Sequence, residues 1–322
     1  MRRIIIGLCL LVLLGGLAAT GLAWRAATGP GPLSQATDVV IPRGGYASTI
    51  STLQQAGVLR DRWTDEKIFR AVLWLTRHDG PLHAAELTFP AHASMTAILA
   101  TLRHGRPVQH MLTIPEGLTS AQIRPLIDAA PALTGSTPDI REGSILPQTY
   151  QYVYGTSRLS LTQRMQHAMA RRLAAIWSTR DPAQPLRSPE ELLTLASIVE
   201  KETGRPEERP MVARVFLNRL EAGMKLQSDP TTIYGLSGGA GKLGRPLTHQ
   251  DMSSATPWNT YIIAGLPPGP VCSPGEAALA AVAHPEAGRA LYFVAMPDGT
   301  TRFSETLTAH NVNVAELRKK PQ

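Results

Sequence analysis

Cysteine is nearly absent: Cys9 and Cys272 are the two in 322 residues, and Cys9 sits inside an apolar run. No disulfide framework therefore exists to require or exclude an oxidising compartment. Aromatic residues make up only 5% of the chain, and nowhere do they interleave with clustered basic residues as a nucleic-acid reader needs. Nucleic acid is not an expected partner. The nine histidines are scattered, and no His, Cys or carboxylate spacing matches a zinc site, so neither a metal nor a cofactor is expected. No Gly-x-Ser-x-Gly elbow occurs, Cys272 has no neighbouring base in sequence, and no phosphate loop is present, which argues against nucleophilic Ser or Cys catalysis.

Charge is missing altogether from Ile4 to Trp24, 21 residues that at helical rise just span a bilayer core. Arg2 and Arg3 precede the run, so the positive-inside rule favours a cytoplasmic N-terminus and an exported remainder. The rival reading is a cleaved signal peptide, with small residues for a peptidase at Ala19-Thr-Gly21. A lipoprotein is disfavoured, because Cys9 comes too early and follows Leu8 rather than a small residue. The net charge of +7 suits an anionic partner such as membrane or peptide-bearing cell wall, or simply solubility.

A hydrophobic fraction of 43% is enough for a real core, and the length suits two domains. Residues 26–37 begin rich in Gly, Pro and Ala and read as a linker. Val39-Val-Ile-Pro-Arg-Gly44 has the pattern of a strand and turn, and Ser48 to Ala56, Asp65 to Arg77 and Ser94 to His104 have helical spacing. Met111-Leu-Thr-Ile-Pro-Glu-Gly-Leu118 restarts that strand-turn-helix order as a weak internal echo. Leu161, Met165, Met169, Leu173 and Trp177 recur every four residues and mark a long amphipathic helix whose stripe packs into a core. Ser188-Pro-Glu-Glu191 supplies the N-cap and N1 proline of the next helix. Leu291 to Ala295 reads as a buried strand, and Phe303 to His310 leads into a terminal helix.

The helix opened at Ser188 carries the chemistry. Leu195-Ala-Ser-Ile-Val-Glu-Lys-Glu-Thr203 is an apolar segment ending in two carboxylates and a hydroxyl, and a carboxyl packed against apolar side chains becomes a general acid at neutral pH because desolvation raises its pKa. Glu200 and Glu202 lie roughly 200° apart around a helix, so they cannot both face one scissile bond. The helical wheel does not choose between them.

Further blocks follow in order: Gln227-Ser-Asp-Pro-Thr-Thr-Ile-Tyr-Gly235, Trp258-Asn-Thr-Tyr261, Gly265-Leu-Pro-Pro-Gly-Pro270 and His310-Asn311. Together with the helix they make the chain resemble the YceG-like endolytic murein transglycosylases over almost its whole length. The resemblance implies an α+β chain with a transmembrane anchor in residues 1–25, the linker at 26–37, a LysM-like α/β module at 38–106 and a mixed helix and strand catalytic domain at 107–322. That module would hold glycan or position the catalytic part, or merely space it from the membrane. The catalytic acid implied is Glu202, because lytic transglycosylases of other families carry theirs as Glu followed by Ser and Glu202-Thr203 matches. Glu200 is then a surface or bracing carboxylate.

The chemistry implied is cleavage of the bond from N-acetylmuramic acid to N-acetylglucosamine in nascent glycan strands by one carboxyl acting as acid and then base, leaving 1,6-anhydromuramoyl ends. Peptidoglycan strands would be the substrate, peptidoglycan synthases the partners, and the cell inner membrane the location, with a single pass and a periplasmic catalytic domain. Gln227, Asp229, Asn259, Tyr261 and Asn311 are candidates for the sugar-binding cleft. Each also has an ordinary structural reading, such as Asp229-Pro230 opening a turn, Asn259 capping one or Tyr261 entering a core. Tyr150 joins them from Pro147-Gln-Thr-Tyr150, with a core tyrosine as its alternative. The family usually has an acidic residue at Gln148, and that departure favours the competing reading, a non-catalytic wall-binding scaffold.

Overall fold

The computed structural model describes residues 2–319, with the backbone alone at residues 2, 3, 318 and 319. The side chains of Arg2 and Arg3, on which the expected orientation of the anchor rests, lie outside the described residues. The chain forms two compact units, Met1–His110 with Tyr152–Gly155, and Met111–Gln151 with Thr156–Gln322. Helices and short antiparallel strands mix in an α+β arrangement.

In the first unit α1 (Arg2–Thr28) outlasts the uncharged run and takes in Arg25. Its stretch Ile4–Thr28 is long and apolar enough to cross a membrane, the mark of an anchor or a signal segment. The Gly- and Pro-rich residues after it are held in place: Ala27 and Leu33 are buried, and Gly31 donates its N–H to the His92 carbonyl at 3.1 Å. Strand β1 (Thr37–Val40) then leads to α2 (Tyr46–Gln55) and α3 (Trp63–Leu75), and β2 (Glu86–Phe89) to α4 (Met95–His104). β1 and β2 pair antiparallel, Thr37 opposite Phe89 and Val40 opposite Glu86. Val39, Leu87 and Phe89 pack on Ile50, Leu53, Phe69, Leu73, Ile98 and Leu102 of the helices to make this unit's own core.

The second unit opens with β3 (His110–Thr113), whose first residue belongs to the other unit, and α5 (Ser120–Ala129), the echo expected from the sequence. β4 (Thr149–Tyr152) follows, and the Thr113 and Thr149 hydroxyls meet at 2.9 Å. Next come α6 (Arg158–Thr179), α7 (Pro189–Glu202), α8 (Arg209–Glu221), α9 (Asp229–Leu236), the single turn α10 (His249–Met252) and α11 (Glu276–Ala283). The antiparallel pair β5 (Tyr292–Ala295) and β6 (Thr301–Ser304) precedes α12 (Leu307–Lys319).

Helix α7 is the centre of this unit. Ser188 caps it, accepting the Glu191 N–H at 3.2 Å, and Pro189 fills the first turn. From Leu192 to Val199 every residue is buried, because α6, α8, α9 and α11 all pack against it. It is thus enclosed on all sides rather than amphipathic, the pattern of a core helix. Its few polar groups are satisfied internally: Thr194 Oγ1 donates to the Glu190 carbonyl at 2.8 Å, and Ser197 Oγ donates to the Thr194 carbonyl and accepts the Val271 N–H at 3.0 Å. The Met stripe of α6 packs as expected, with Leu161, Met165, Met169 and Leu173 buried.

Ile198→Ala opens a cavity at the middle of α7 and is expected to cost about 2–5 kcal/mol in urea unfolding. Leu159→Ala, on the exposed side of α6, is expected to stay within about 0.5 kcal/mol of the parent. A core substitution as mild as the surface one would show that α7 is not the packing centre.

Candidate active site

Glu202 is the last residue of α7 and Thr203 its C-cap. The Thr203 hydroxyl donates to Glu208 at 3.1 Å and accepts the Arg205 N–H at 3.1 Å. Glu208 also receives the Thr301 N–H and hydroxyl, which ties the helix end to β6. The backbone around Glu202 is therefore fixed from two directions.

The Glu202 side chain points to the start of α9. Ser228 Oγ donates to Glu202 Oε1 at 2.5 Å. Ser228 precedes the first residue of α9, where a serine hydroxyl ordinarily caps the helix, but here it makes no cap and serves Glu202 instead. Burial pushes the Glu202 carboxyl up to about 7, the Ser228 bond pulls it down, the negative charge of Asp229 raises it further and Arg219 lowers it. A carboxyl at a helix C-terminus also faces the negative end of the helix dipole, which acts in the same direction as burial. The group is thus divided between acid and carboxylate near neutral pH.

Three consecutive residues position this arrangement. Leu226 gives its carbonyl to Arg219 Nη1 at 2.7 Å. Gln227, exposed, takes a left-handed backbone conformation at φ 52°, unusual for a side chain of its size, with its N–H on the Thr260 carbonyl at 3.1 Å. The Ser228 N–H is held by Thr260 Oγ1 at 2.9 Å, and that oxygen shares a 2.8 Å bond with Thr231 Oγ1. Tyr261 Oη reaches across to Asp229 Oδ1 at 2.6 Å. Burial, then the bond and charge of Asp229, raise the Tyr261 phenol, so it stays a donor.

Arg219 stands behind this layer. It is buried, donates Nε to the Leu291 carbonyl at 2.7 Å, and lies 5.5 Å from the Tyr292 ring centre. His310 stacks on Tyr292 at 5.3 Å, and burial followed by the Arg219 charge holds its imidazole below the usual range.

The candidates from the sequence divide into two sets. Glu202, Gln227, Asp229 and Tyr261 come together, and the last three keep surface to offer a ligand. Asn259 is fully buried and saturated: its Oδ1 accepts from Thr232 Oγ1 and the Tyr261 N–H, and its Nδ2 donates to the Met252 and Ser254 carbonyls. It braces the loop that carries Thr260 and Tyr261, and has no face left for a sugar. Tyr150 is buried too, with its hydroxyl on the Leu146 carbonyl at 2.6 Å and burial lifting the phenol to about 12. It is a core tyrosine, while Gln148 beside it is exposed. Asn311 is exposed on α12, and its neighbour His310 is the one that faces Tyr292.

Glu200 has a different set of partners from Glu202. It is buried against Arg209, with Oε1 to Nη2 at 2.9 Å, and its Oε2 accepts the Gly275 N–H at 2.8 Å. It is a bracing carboxylate and not a surface one. A side chain at Gly275 would meet the Glu116 carboxylate, which would have to swing aside.

Sequence reasoning missed Ser228, Arg219 and a further buried acid, Glu142. Glu142 receives the Ser120 N–H and hydroxyl, the Gly143 N–H and the Tyr234 hydroxyl, yet burial still raises its carboxyl. Ser228 lies inside the Gln227–Gly235 block, but a serine just before a helix start is ordinarily a cap and carries no local sign of a partner 26 residues away. Among the described residues no three His, Cys, Asp or Glu side chains gather where they could hold a metal.

The profile of the YceG-like family matches residues 39–316. The endolytic murein transglycosylase of Bacillus subtilis is 40% identical over 120 residues, 37% of this chain and 32% of that protein. The endolytic murein transglycosylase of Streptococcus pneumoniae is 34% identical over 197 residues, 59% of this chain and 35% of that protein. The chain thus matches about a third of the length of these curated relatives. A crystal structure of a yceG-like protein from Listeria monocytogenes superposes with a TM-score of 0.52 at 29% identity, covering 87% of this chain and 99% of that one.

The raised Glu202 pKa fixes a pH dependence. The folded state binds this proton more tightly than the unfolded chain does, so its stabilising effect is complete below the ordinary carboxylate value of 4.5 and is lost as pH rises through about 7. Glu202→Gln, which mimics the protonated form, is expected to match the parent at pH 4 and exceed its unfolding free energy by roughly 3 kcal/mol at pH 8. Asp229→Asn is expected to lower the Glu202 titration midpoint, read by carbon NMR of the carboxyl. A midpoint that stays put would exclude Asp229 as a tuning charge.

Proposed function

The chain belongs to the YceG-like family, and from that premise we propose that it is a membrane-anchored endolytic lytic transglycosylase of peptidoglycan. The reading is carried by one observation: the Glu202 carboxyl at the end of α7, which burial pushes up to about 7 and whose orientation is set by the Ser228 hydroxyl. Such a group can give a proton and take one back at the same pH.

In the proposed reaction Glu202, protonated, donates to the oxygen that links N-acetylmuramic acid to N-acetylglucosamine as the anomeric carbon–oxygen bond breaks. The N-acetylglucosamine side leaves as an alcohol. Glu202, now a carboxylate, removes the proton of the muramoyl 6-hydroxyl, whose oxygen bonds to the anomeric carbon and closes the anhydro ring. No water is consumed, and the enzyme ends protonated as it began. Positive charge that develops at the anomeric centre is offset by the substrate's acetamido group and by the Asp229 carboxylate, which Tyr261 keeps oriented. Gln227 and Tyr261 contribute the exposed wall beside the sugar, with Asn311 on the rim. Asn259 acts at one remove, as a brace of that wall, and Tyr150 serves the core.

The anchor is α1, crossing the inner membrane with a cytoplasmic N-terminus and the rest in the periplasm. Residues 38–106 form a LysM-like module, and residues 107–322 the catalytic domain. Nascent glycan strands are the substrate, and the synthases that make them are the natural partners.

Glu202→Gln is expected to lower cleavage of uncrosslinked glycan strands by about 10²–10⁴-fold. Glu200→Gln leaves Arg209 buried beside a neutral partner, and is expected to cost stability, of the order of 3–5 kcal/mol, while the folded fraction keeps its activity. Mass spectrometry of the products settles the reaction type. Muramoyl ends one water lighter than reducing ends are expected, from internal positions of the strand. Reducing ends would make the protein a hydrolase, and exclusive release of terminal disaccharides would refute the endolytic mode.

A further inference from the structure

We propose that the outward face of α3 is a second membrane contact, seated in the anionic headgroup layer of the same bilayer that α1 crosses. The inference rests on the reading of α1 as an anchor. Helix α3 buries Asp65, Phe69 and Leu73 and turns Trp63, Lys67 and Trp74 outward. Positions 63, 67, 70 and 74 recur at the four-, three- and four-residue steps that keep side chains on one helix face. The two tryptophans, 73% and 63% exposed, therefore project from the same face about 16 Å apart. Leu75, 66% exposed, extends the apolar surface at the C-terminal end.

Tryptophan side chains bury more area than almost any other, and a helix that holds two of them in water beside its own core has surface to cover. Their neighbours indicate what covers it. Lys67 Nζ lies 5.6 Å from the Trp63 ring centre and the Arg77 guanidinium 4.5 Å from that of Trp74. Glu66, on the flank, is paired with Arg70 at 2.8 Å, so the face between the tryptophans is basic on balance. Indole rings alternating with lysine and arginine match the chemistry of a phospholipid interface, apolar below and anionic above. A glycan strand would also stack on indole rings, but here cations already occupy ring faces that a sugar would need.

Position points the same way. Trp24, 71% exposed, lies in the last turns of α1, and Ala27 just after it is buried in the module. Ala26, residues 29–32 and Asp65 of the first turn of α3 line one small gap. Arg60 Nη2 donates to the Pro30 carbonyl at 3.2 Å, and Gly31 is held by His92. The start of α3 is thus fixed beside the point where the span ends.

The test uses the full chain in vesicles of phosphatidylethanolamine and phosphatidylglycerol whose acyl chains are brominated next to the headgroup. In a Trp24→Phe background four tryptophans remain, and lipid is expected to quench up to roughly half of the emission, the share of Trp63 and Trp74. Adding Trp63→Phe and Trp74→Phe is expected to abolish that quenching with no change in melting temperature, since both side chains are exposed. Lys67→Gln with Arg77→Gln is expected to reduce it in anionic vesicles. Quenching that is the same with and without Trp63 and Trp74, in protein that resists alkaline extraction, overturns the α3 contact and leaves the anchor standing. A Trp63 and Trp74 response to soluble glycan strands in place of lipid also overturns it. Protein that washes off at alkaline pH removes the anchor reading, and this inference with it.

Discussion

The enclosure of α7 by four other helices is the constraint on which the second unit's candidate site depends. Glu202 ends a helix whose preceding turns are closed in by four other helices, so the group emerges from a dry environment with little freedom. Desolvation disfavours its charge, and the C-terminal end of the helix dipole adds to that bias. The Ser228 hydroxyl, and to a smaller degree the Arg219 cation, act against that bias. The acid-then-base role proposed for Glu202 would draw on this balance. Burial alone would make a good donor and a poor acceptor.

The partners of Glu202 are arranged so that each is held by something other than Glu202. Ser228 is fixed through Thr260, Asp229 through Tyr261, and Arg219 through the Leu226 and Leu291 carbonyls. The left-handed turn at Gln227 is stored strain that those bonds maintain. Asn259 completes the frame by saturating its whole hydrogen-bonding capacity inside one loop. A site built this way changes little when its central group gains or loses a proton, because the scaffold does not depend on that group for its shape.

Much of this was legible from the chain. The α7 boundaries, the terminal helix and the Met stripe of α6 follow from periodicity and capping residues, which are local signals, whereas the strand expected to be buried at Leu291 to Ala295 forms as β5 with its residues partly open to solvent. The opposition of Glu200 and Glu202 follows from helix geometry, and their different partners bear it out, with Arg209 and Gly275 on one side and Ser228 on the other. What periodicity cannot carry is the identity of a partner distant in sequence. Asn259 and Tyr150 looked like cleft residues because polar and aromatic side chains in such blocks often are. Their actual roles depend on carbonyls at Met252, Ser254 and Leu146 that happen to lie within reach. Ser228 shows the converse: a residue typed by local grammar as a cap is recruited by a carboxyl 26 positions earlier.

The enclosure of α7 also has a meaning in time. Its walls come from both sides of it in the chain, from α6 before it and from α8, α9 and α11 after it. A chain made or exported from its N-terminus presents Glu202 well before α11, at Glu276–Ala283, has appeared. Until that last wall arrives one face of α7 stays open to water. The helix is therefore closed in only when most of the chain has emerged, and a fragment that ends before α11 carries Glu202 on a helix that still lacks a wall.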